Sequence, residues 1–488
     1  MEPATHYDIV IIGAGIAGIN AAYRVQTTLP HHFYVILEAR PVPGGTWDLF
    51  RYPGVRADSD IHTYGFPWYP YPREQTMPDG RALLEYINEA AQLSAIDSHI
   101  VFNHRVMKTI WSSQDKIWTL ETVAEHGEGR RFRSHFVIFA TGYFDHRRPL
   151  SVEIPGLSTY RGTLVHPQFW PPDLEYSGKK VAVIGSGATA ISLVPKLAET
   201  ASAVTVIQRS PSYIVPVPSS EGNGTWMARL LPAALSRKLK RYGWLAVSLA
   251  GSYICPRFPR LAKAFILKLV GQQLPDHIPI DPHFTPQYNV WEQRLLACPD
   301  GDFFQSLRGG EATIETAHIQ AITDHDIVLD SGRVVHADII VTATGLSLQI
   351  GGGTQFLVDG HPCDLSQKFM WKGVMLQDIP NAFFALGYLT NASWTLGVDV
   401  TAVLICRLIK HMEKSGGTTL TCTPRMRGSP GLPRRLWDLK STYVVAADGS
   451  LPKAGSVSSW RPRSNYILDY LDARYGSFGE CMEFTEDV

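Results

Sequence analysis

The sequence predicts an α/β protein, and three observations carry that expectation. An apolar β-branched run, a glycine turn and a helix-like segment occur twice, as "YDIVIIGAGIAGINAAYRV" and "KKVAVIGSGATAISLVPKL". Each copy has a later partner in which a strand-like run ends in Ala-Thr-Gly, "FVIFATGYF" and "DIIVTATGL". The chain is 488 residues long, beyond the size at which one hydrophobic core keeps growing. Together they imply two Rossmann-like dinucleotide-binding domains with a helical insertion. The expected division is 1–150 for the first part of one domain and 151–335 for the second domain, its insertion at about 225–290. Residues 336–488 return to the first domain and add a C-terminal segment.

In the first copy Gly13, Gly15 and Gly18 follow a strand directly and open a helix, the context that makes G-x-G-x-x-G informative. Glycine is needed at the tight turn, where backbone approaches a pyrophosphate, and where helix packs on strand. Further on, "FYVILEAR" ends a strand at Glu38, whose carboxylate can accept both ribose hydroxyls and repels a 2′-phosphate. This site suits FAD or NAD. "GGTW" supplies Gly45, Thr46 and Trp47; Thr46 is expected to face the cofactor, and Trp47 is either core or cavity wall. The loop "FRYPGVRADSD" follows, its charges set around a Pro-Gly turn, and then Tyr64. Thr141 and Gly142 end the partner strand, where small residues let backbone pass close to a nucleotide.

The second copy presents Gly185, Gly187, Thr189 and Ala190, and "VTVIQRSP" places Gln208, Arg209 and Ser210 at the ribose position. The carboxylate is absent there and a guanidinium can pair with a 2′-phosphate, so NADPH is favoured over NADH. Thr344 and Gly345 close this half. One site for an uncharged ribose and one for a phosphorylated ribose describe a flavoprotein reduced by NADPH.

Between the halves, residues 225–275 read as helices with a basic face of Arg237, Lys238, Lys240 and Arg241 against apolar residues. They are expected to cover a pocket, with a membrane surface as the weaker alternative for their amphipathic face. Residues 413–434, rich in Gly, Thr and Pro, read as a surface loop.

Lysine plus arginine and aspartate plus glutamate number 45 each, so charge gives no reason to expect nucleic acid. The six cysteines form no C-x-x-C pair and no metal-ligand spacing, which argues against a disulfide reductase and a zinc site and fits a cytoplasmic setting. No signal peptide is expected ahead of the strand near Tyr7, and the run "GWLAVSLAGSYIC" is too short to span a bilayer. Without redox cysteines, dioxygen is the default electron acceptor.

The segment "YRGTLVHPQFWP" resembles the fingerprint of Baeyer–Villiger monooxygenases, with Gly162, His166, Trp170 and Pro171 matching and Tyr160 replacing a phenylalanine. Related N- and S-oxidising flavin monooxygenases carry tyrosine and a basic residue where this chain has Trp170-Pro171. Similarity continues through "GGTWDLFRYPG", "QRSPSYIVP", "TPQYNVWEQRL" and "NASWTL". The branch it most resembles is the ethionamide-activating type, which oxidises ketones and thioamide sulfur; Ala57 and the shortened C-terminal segment depart from it. The resemblance implies FAD and NADPH as cofactors, dioxygen and a small ketone, sulfide or thioamide as substrates, and ester or lactone formation through a flavin C4a-peroxide. S- or N-oxygenation is the first alternative, and an NADPH-flavin reductase or redox sensor the weaker one. It further implies Arg294 as the cation beside the reacting oxygen, Asp58 as its partner, and a linker-positioning role for His166 rather than acid/base work; Trp394, like Trp47, is either core or a wall of the flavin or substrate cavity.

Overall fold

The computed structural model describes residues 5–124, 129–220, 231–388, 392–414, 419–479 and 481–486. Its first sheet runs parallel through Ile100–Val101, Tyr34–Leu37, Thr5–Ile12, Gly129–Phe139 and Ala382–Phe384. The antiparallel pair His104–Ser112 and Ile117–Ala124 extends it from the first half of Gly129–Phe139. Alternation along Thr5–Ile12 explains why this strand is central. Ile9 and Ile11 join a core with Ala17 and Leu404 of the helices Ile16–Thr28 and Trp394–Lys414, while Val10 and Ile12 join Trp118 and Phe384 on the other face. A two-point ion pair, Arg24 Nε to Asp399 at 2.9 Å and Nη2 at 3.0 Å, ties those helices together.

The second sheet is wholly parallel, in the order Ala312–Thr316, Ala203–Gln208, Lys180–Ile184, Ile339–Thr342 and Thr163–Val165. The helix Ala188–Ala198 covers one face, and the antiparallel strands Ile319–Ile322, Asp326–Leu329 and Val334–His336 cover the other. Ile339–Thr342 bonds to Lys180–Ile184 within this sheet, whereas a boundary at residue 335 assigns it to the first domain. The chain re-enters the first domain only after Gly345. The reason is in the sequence: "DIIVTATGL" is the partner of the second glycine turn.

The insertion consists of the helices Ala233–Arg257 and Pro259–Gly271 and the turn Ile280–His283; residues 225–230 lie outside the described residues. Its expected basic face is divided, Lys238 being exposed and Arg241 not. Arg241 turns inward and donates from Nη1 to the carbonyls of His62 at 2.6 Å and Gly65 at 3.0 Å, clamping the helix onto the segment after Asp58. Within 413–434, residues 419–424 form a strand paired with Met482–Glu486 rather than a loop; residues 415–418 lie outside the described residues.

Candidate active site

Both glycine turns open onto one cavity of about 1130 Å³. Gly13 takes φ +104°, and a Cβ there would lie 2.7 Å from the Ala140 carbonyl oxygen; only glycine fits between the two strand ends. Gly18 lies outside the cavity, beneath the helix, where a Cβ would reach within 1.8 Å of the Gly13 oxygen. The helix Ile16–Thr28 starts at Gly15 with no side-chain cap and no acidic residue in its first turn, so its first amides face the cavity without a competing anion.

Glu38 lines the cavity while buried, its carboxylate accepting from Ala14 N at 2.6 Å and Arg40 N at 2.9 Å. Burial raises its pKa and those amides oppose the rise. Gly45, Thr46, Trp47, Tyr64, Thr141, Gly142 and Trp394 line the same half. Trp47 Nε1 donates to Tyr64 Oη at 2.8 Å. Two features fit a bound flavin nucleotide: the Trp394 Nε1 hydrogen has no partner among the described residues, and a Cβ on Gly142 would meet nothing within 4 Å. Asn391, beside Trp394 in "NASW", lies outside the described residues.

The other half repeats the arrangement. Gly185, at φ +137°, would place a Cβ 2.3 Å from the Ala343 oxygen, and Ala190 is buried where helix packs on strand. Gly187 differs. Its φ is −84° and nothing lies within 4 Å of its Cβ position, so neither conformation nor packing demands glycine. The open space lies at the uncapped start of the helix Ala188–Ala198, where a nucleotide phosphate fits. Thr189, Arg209, Ser210, Thr344 and Gly345 line this half. Gln208 is committed elsewhere, donating from Nε2 to the His283 carbonyl at 2.7 Å and to Thr316 at 2.9 Å; Arg209 is the exposed side chain at this strand end.

Arg294 and Asp58 meet within the cavity lining. Arg294 Nη2 donates to both Asp58 oxygens, at 3.1 and 3.0 Å, and lies 3.2 Å from Ser59 Oγ. Asp58 raises the guanidinium's pKa against the effect of burial. Burial also raises Tyr143 and pushes Tyr443 up to about 12, opposed in both by Arg294. The other charges of the loop have structural partners. Arg51 pairs with Asp48, Arg56 with Asp302, and Asp60 caps Ile61–Tyr64 by accepting from Thr63 N at 2.7 Å.

Gly162, His166 and Trp170 lie outside the cavity lining. A Cβ on Gly162 would approach the Asp338 oxygen to 2.6 Å, and Trp170 is buried in the second core. His166 Nδ1 accepts from Gln168 N at 3.2 Å, which leaves Nε2 to donate to the Gly345 carbonyl at 3.3 Å; burial lowers its pKa. The histidine thus joins the end of the strand Thr163–Val165 to the second Ala-Thr-Gly turn.

Sequence reading missed Tyr143, His146, His318 and Tyr443, all in the cavity lining. Tyr143 directly follows Ala-Thr-Gly, a signal that was available. Tyr443 comes from the C-terminal segment, and only tertiary folding brings it near Arg294. His146 lies 3.5 Å from Thr46 Oγ1 through Nε2, its pKa lowered to about 4 by burial and then by Arg40.

Residues 7–227 match the family model described as pyridine nucleotide-disulphide oxidoreductase. The six cysteines are all free, so the match extends to the nucleotide architecture and not to a disulfide centre. The FAD-containing monooxygenase EthA of Mycolicibacterium smegmatis is 40% identical over 492 aligned positions, covering 99% of this chain and 97% of the relative. An open cyclohexanone monooxygenase structure shares the fold with a TM-score of 0.75 at 19% identity, covering 99% of this chain and 100% of that one. A steroid monooxygenase structure described as bound to NADP shares it at 0.73 and 20% identity, with the same coverage. With two nucleotide half-sites on one cavity and 40% identity along the whole chain, the protein belongs to the FAD-containing monooxygenases.

Proposed function

We propose that the protein is an NADPH- and dioxygen-dependent flavin monooxygenase of the Baeyer–Villiger type. It inserts one oxygen atom between the carbonyl carbon and a neighbouring carbon of a ketone, giving an ester or lactone. The Arg294–Asp58 pair in a cavity shared by both nucleotide half-sites is the observation that supports this reading. The fold neighbours titled cyclohexanone and steroid monooxygenase agree with it.

Bound FAD supplies activated oxygen at the expense of NADPH and dioxygen; the residues of the chain govern what that oxygen meets. Glu38 and the amides after Gly13 hold the adenosine end of FAD, while Arg209 and Ser210 bind the 2′-phosphate that distinguishes NADPH. Arg294 places a permanent cation where the ketone oxygen becomes anionic, an interaction stronger at the transition state than in the ground state. Asp58 fixes the guanidinium without removing its charge. Tyr143 and Tyr443 stay protonated at neutral pH and add hydrogen-bond donors to the same wall.

The test is product mass from purified, FAD-loaded enzyme given NADPH and a mixed panel of ketones and sulfides. Ester or lactone supports the proposal, and sulfoxide alone reassigns the enzyme to sulfur oxidation. NADPH consumption matched by hydrogen peroxide release, with no oxygenated product, overturns both.

A further inference from the structure

The outward face of the helical insertion exposes an unusual number of large apolar side chains. Along Ala233–Arg257 an apolar stripe of exposed residues, Leu235, Leu239, Tyr242, Ala246 and Tyr253, lies one or two helical turns apart, with Lys238 and Arg257 as the exposed charged residues beside it. Val247 and Ile254 flank this stripe, and Leu261 and Phe265 of Pro259–Gly271 continue it. Tyr242, Val247, Tyr253, Leu261 and Phe265 are each more than three-fifths exposed. Single exposed apolar residues need no explanation, whereas a contiguous patch across two helices marks a binding surface.

Charge identifies the occupant. Between residues 231 and 275 the sequence holds eight lysines and arginines and no aspartate or glutamate, in a chain whose formal net charge is zero. Lys238, Arg257, Arg260 and Lys268 are exposed on the same helices as the apolar stripe. A second copy of the chain is a poor match for this face, because two-fold pairing would set its cations against the same cations. No described helix is long and apolar enough to cross a membrane. Apolar side chains framed by cations, on helices that do not span, fit the headgroup boundary of an anionic bilayer.

We propose that the helices Ala233–Arg257 and Pro259–Gly271 dock the protein onto the surface of an anionic lipid membrane. Their inner face fixes the orientation. Arg241 holds the carbonyls of His62 and Gly65, and Lys263 Nζ donates to the Pro286 carbonyl at 2.6 Å. Docking therefore brings to the lipid the side of the molecule on which the segments leading from Asp58 and toward Arg294 run.

The experiment is co-sedimentation of the full-length, FAD-loaded protein with vesicles of phosphatidylcholine alone or of equal parts phosphatidylcholine and phosphatidylglycerol. Binding to the anionic vesicles, weakened by salt and absent on phosphatidylcholine, is expected. Val247→Ser with Phe265→Ser should reduce it at least tenfold. Lys238→Glu with Arg260→Glu should reduce it more, since each cation near an anionic surface contributes about fivefold. All four residues are exposed, and retained flavin and an unchanged unfolding midpoint confirm that the variants fold. The proposal is overturned if the wild-type protein stays in the supernatant with anionic vesicles, or if both variants bind as it does. A concentration-dependent dimer dispersed by the serine variants, without vesicle binding, also overturns it and makes the face a contact between copies.

Discussion

Removing Asp58 tests whether Arg294 works as a held cation. Two unit charges about 4 Å apart at an effective dielectric of about 20 attract by about 4 kcal/mol. The Asp58 side chain is 37% exposed and that of Arg294 22%, so solvent screening and desolvation leave about 1.4 kcal/mol, or about tenfold, for positioning. Asp58→Ala should therefore lower the rate of oxygenated product formation about tenfold. Arg294→Ala should lower it by about a hundredfold to a thousandfold, the range for losing a preorganised group at a developing oxyanion, while flavin reduction stays measurable. The informative comparison is the double variant, because Asp58→Ala should add nothing once Arg294 is gone. Single-turnover measurement of product, with flavin reduction followed separately by absorbance, reads both steps. Near-wild-type ester formation by Arg294→Ala would remove this residue from the reaction. A full tenfold effect of Asp58→Ala in the Arg294→Ala background would show that Asp58 acts through the loop and not through the guanidinium.

The other expectations concern the nucleotides and pH. Gly187→Ala should leave the unfolding midpoint unchanged, since no protein atom lies within 4 Å of the new methyl, yet raise the NADPH KM at least about tenfold by occupying phosphate space. Arg209→Ala should raise the KM for NADPH about tenfold to a hundredfold through loss of a charge-assisted bond and leave the KM for NADH nearly unchanged; equal effects on both would sink the 2′-phosphate assignment. His146 has its folded pKa lowered to about 4 from 6.5. The unfolded chain thus binds the extra proton first, and this contribution to stability is present above pH ~6.5 and lost as pH falls toward ~4. It amounts to no more than about 3 kcal/mol. His146→Asn should flatten the fall in unfolding free energy across that window, and an unaltered slope would show that other groups cause it.

The nucleotide architecture was legible because its physics is local. A tight turn at Gly13, packing at Gly18 and a strand-end carboxylate at Glu38 are all set within one strand–turn–helix unit, so spacing alone carries them. The charged loop was legible only through resemblance. Nothing in "RADSD" says that Asp58 rather than Asp60 reaches Arg294; the structure separates them because Asp60 is consumed as a helix cap and Asp58 is not. Tyr443 and His318 were not legible, since each enters the cavity from a distant segment with no motif around it. The packing of the insertion was not legible for a related reason. Composition groups Arg241 with Arg237, Lys238 and Lys240, but Arg241 finds two carbonyls beneath the helix, and such bonds depend on which segment lies below.

The loop that carries Asp58 also ties the Arg294 guanidinium to the relation between the two domains. Arg56 and Asp58 lie two residues apart on the first domain, and both bond across the joint, Arg56 to Asp302 and Asp58 to Arg294. Gln168, within the fingerprint segment, crosses the same boundary by donating from Nε2 to the Asp145 carbonyl at 2.7 Å. A pair whose two members belong to different domains holds its geometry only while those domains keep their register. Residues outside the cavity that bond across this joint, such as Gln168, thereby bear on the position of the guanidinium. The fingerprint segment, absent from the cavity wall, therefore contributes through Gln168 a bond at the joint that Arg294 and Asp58 also span.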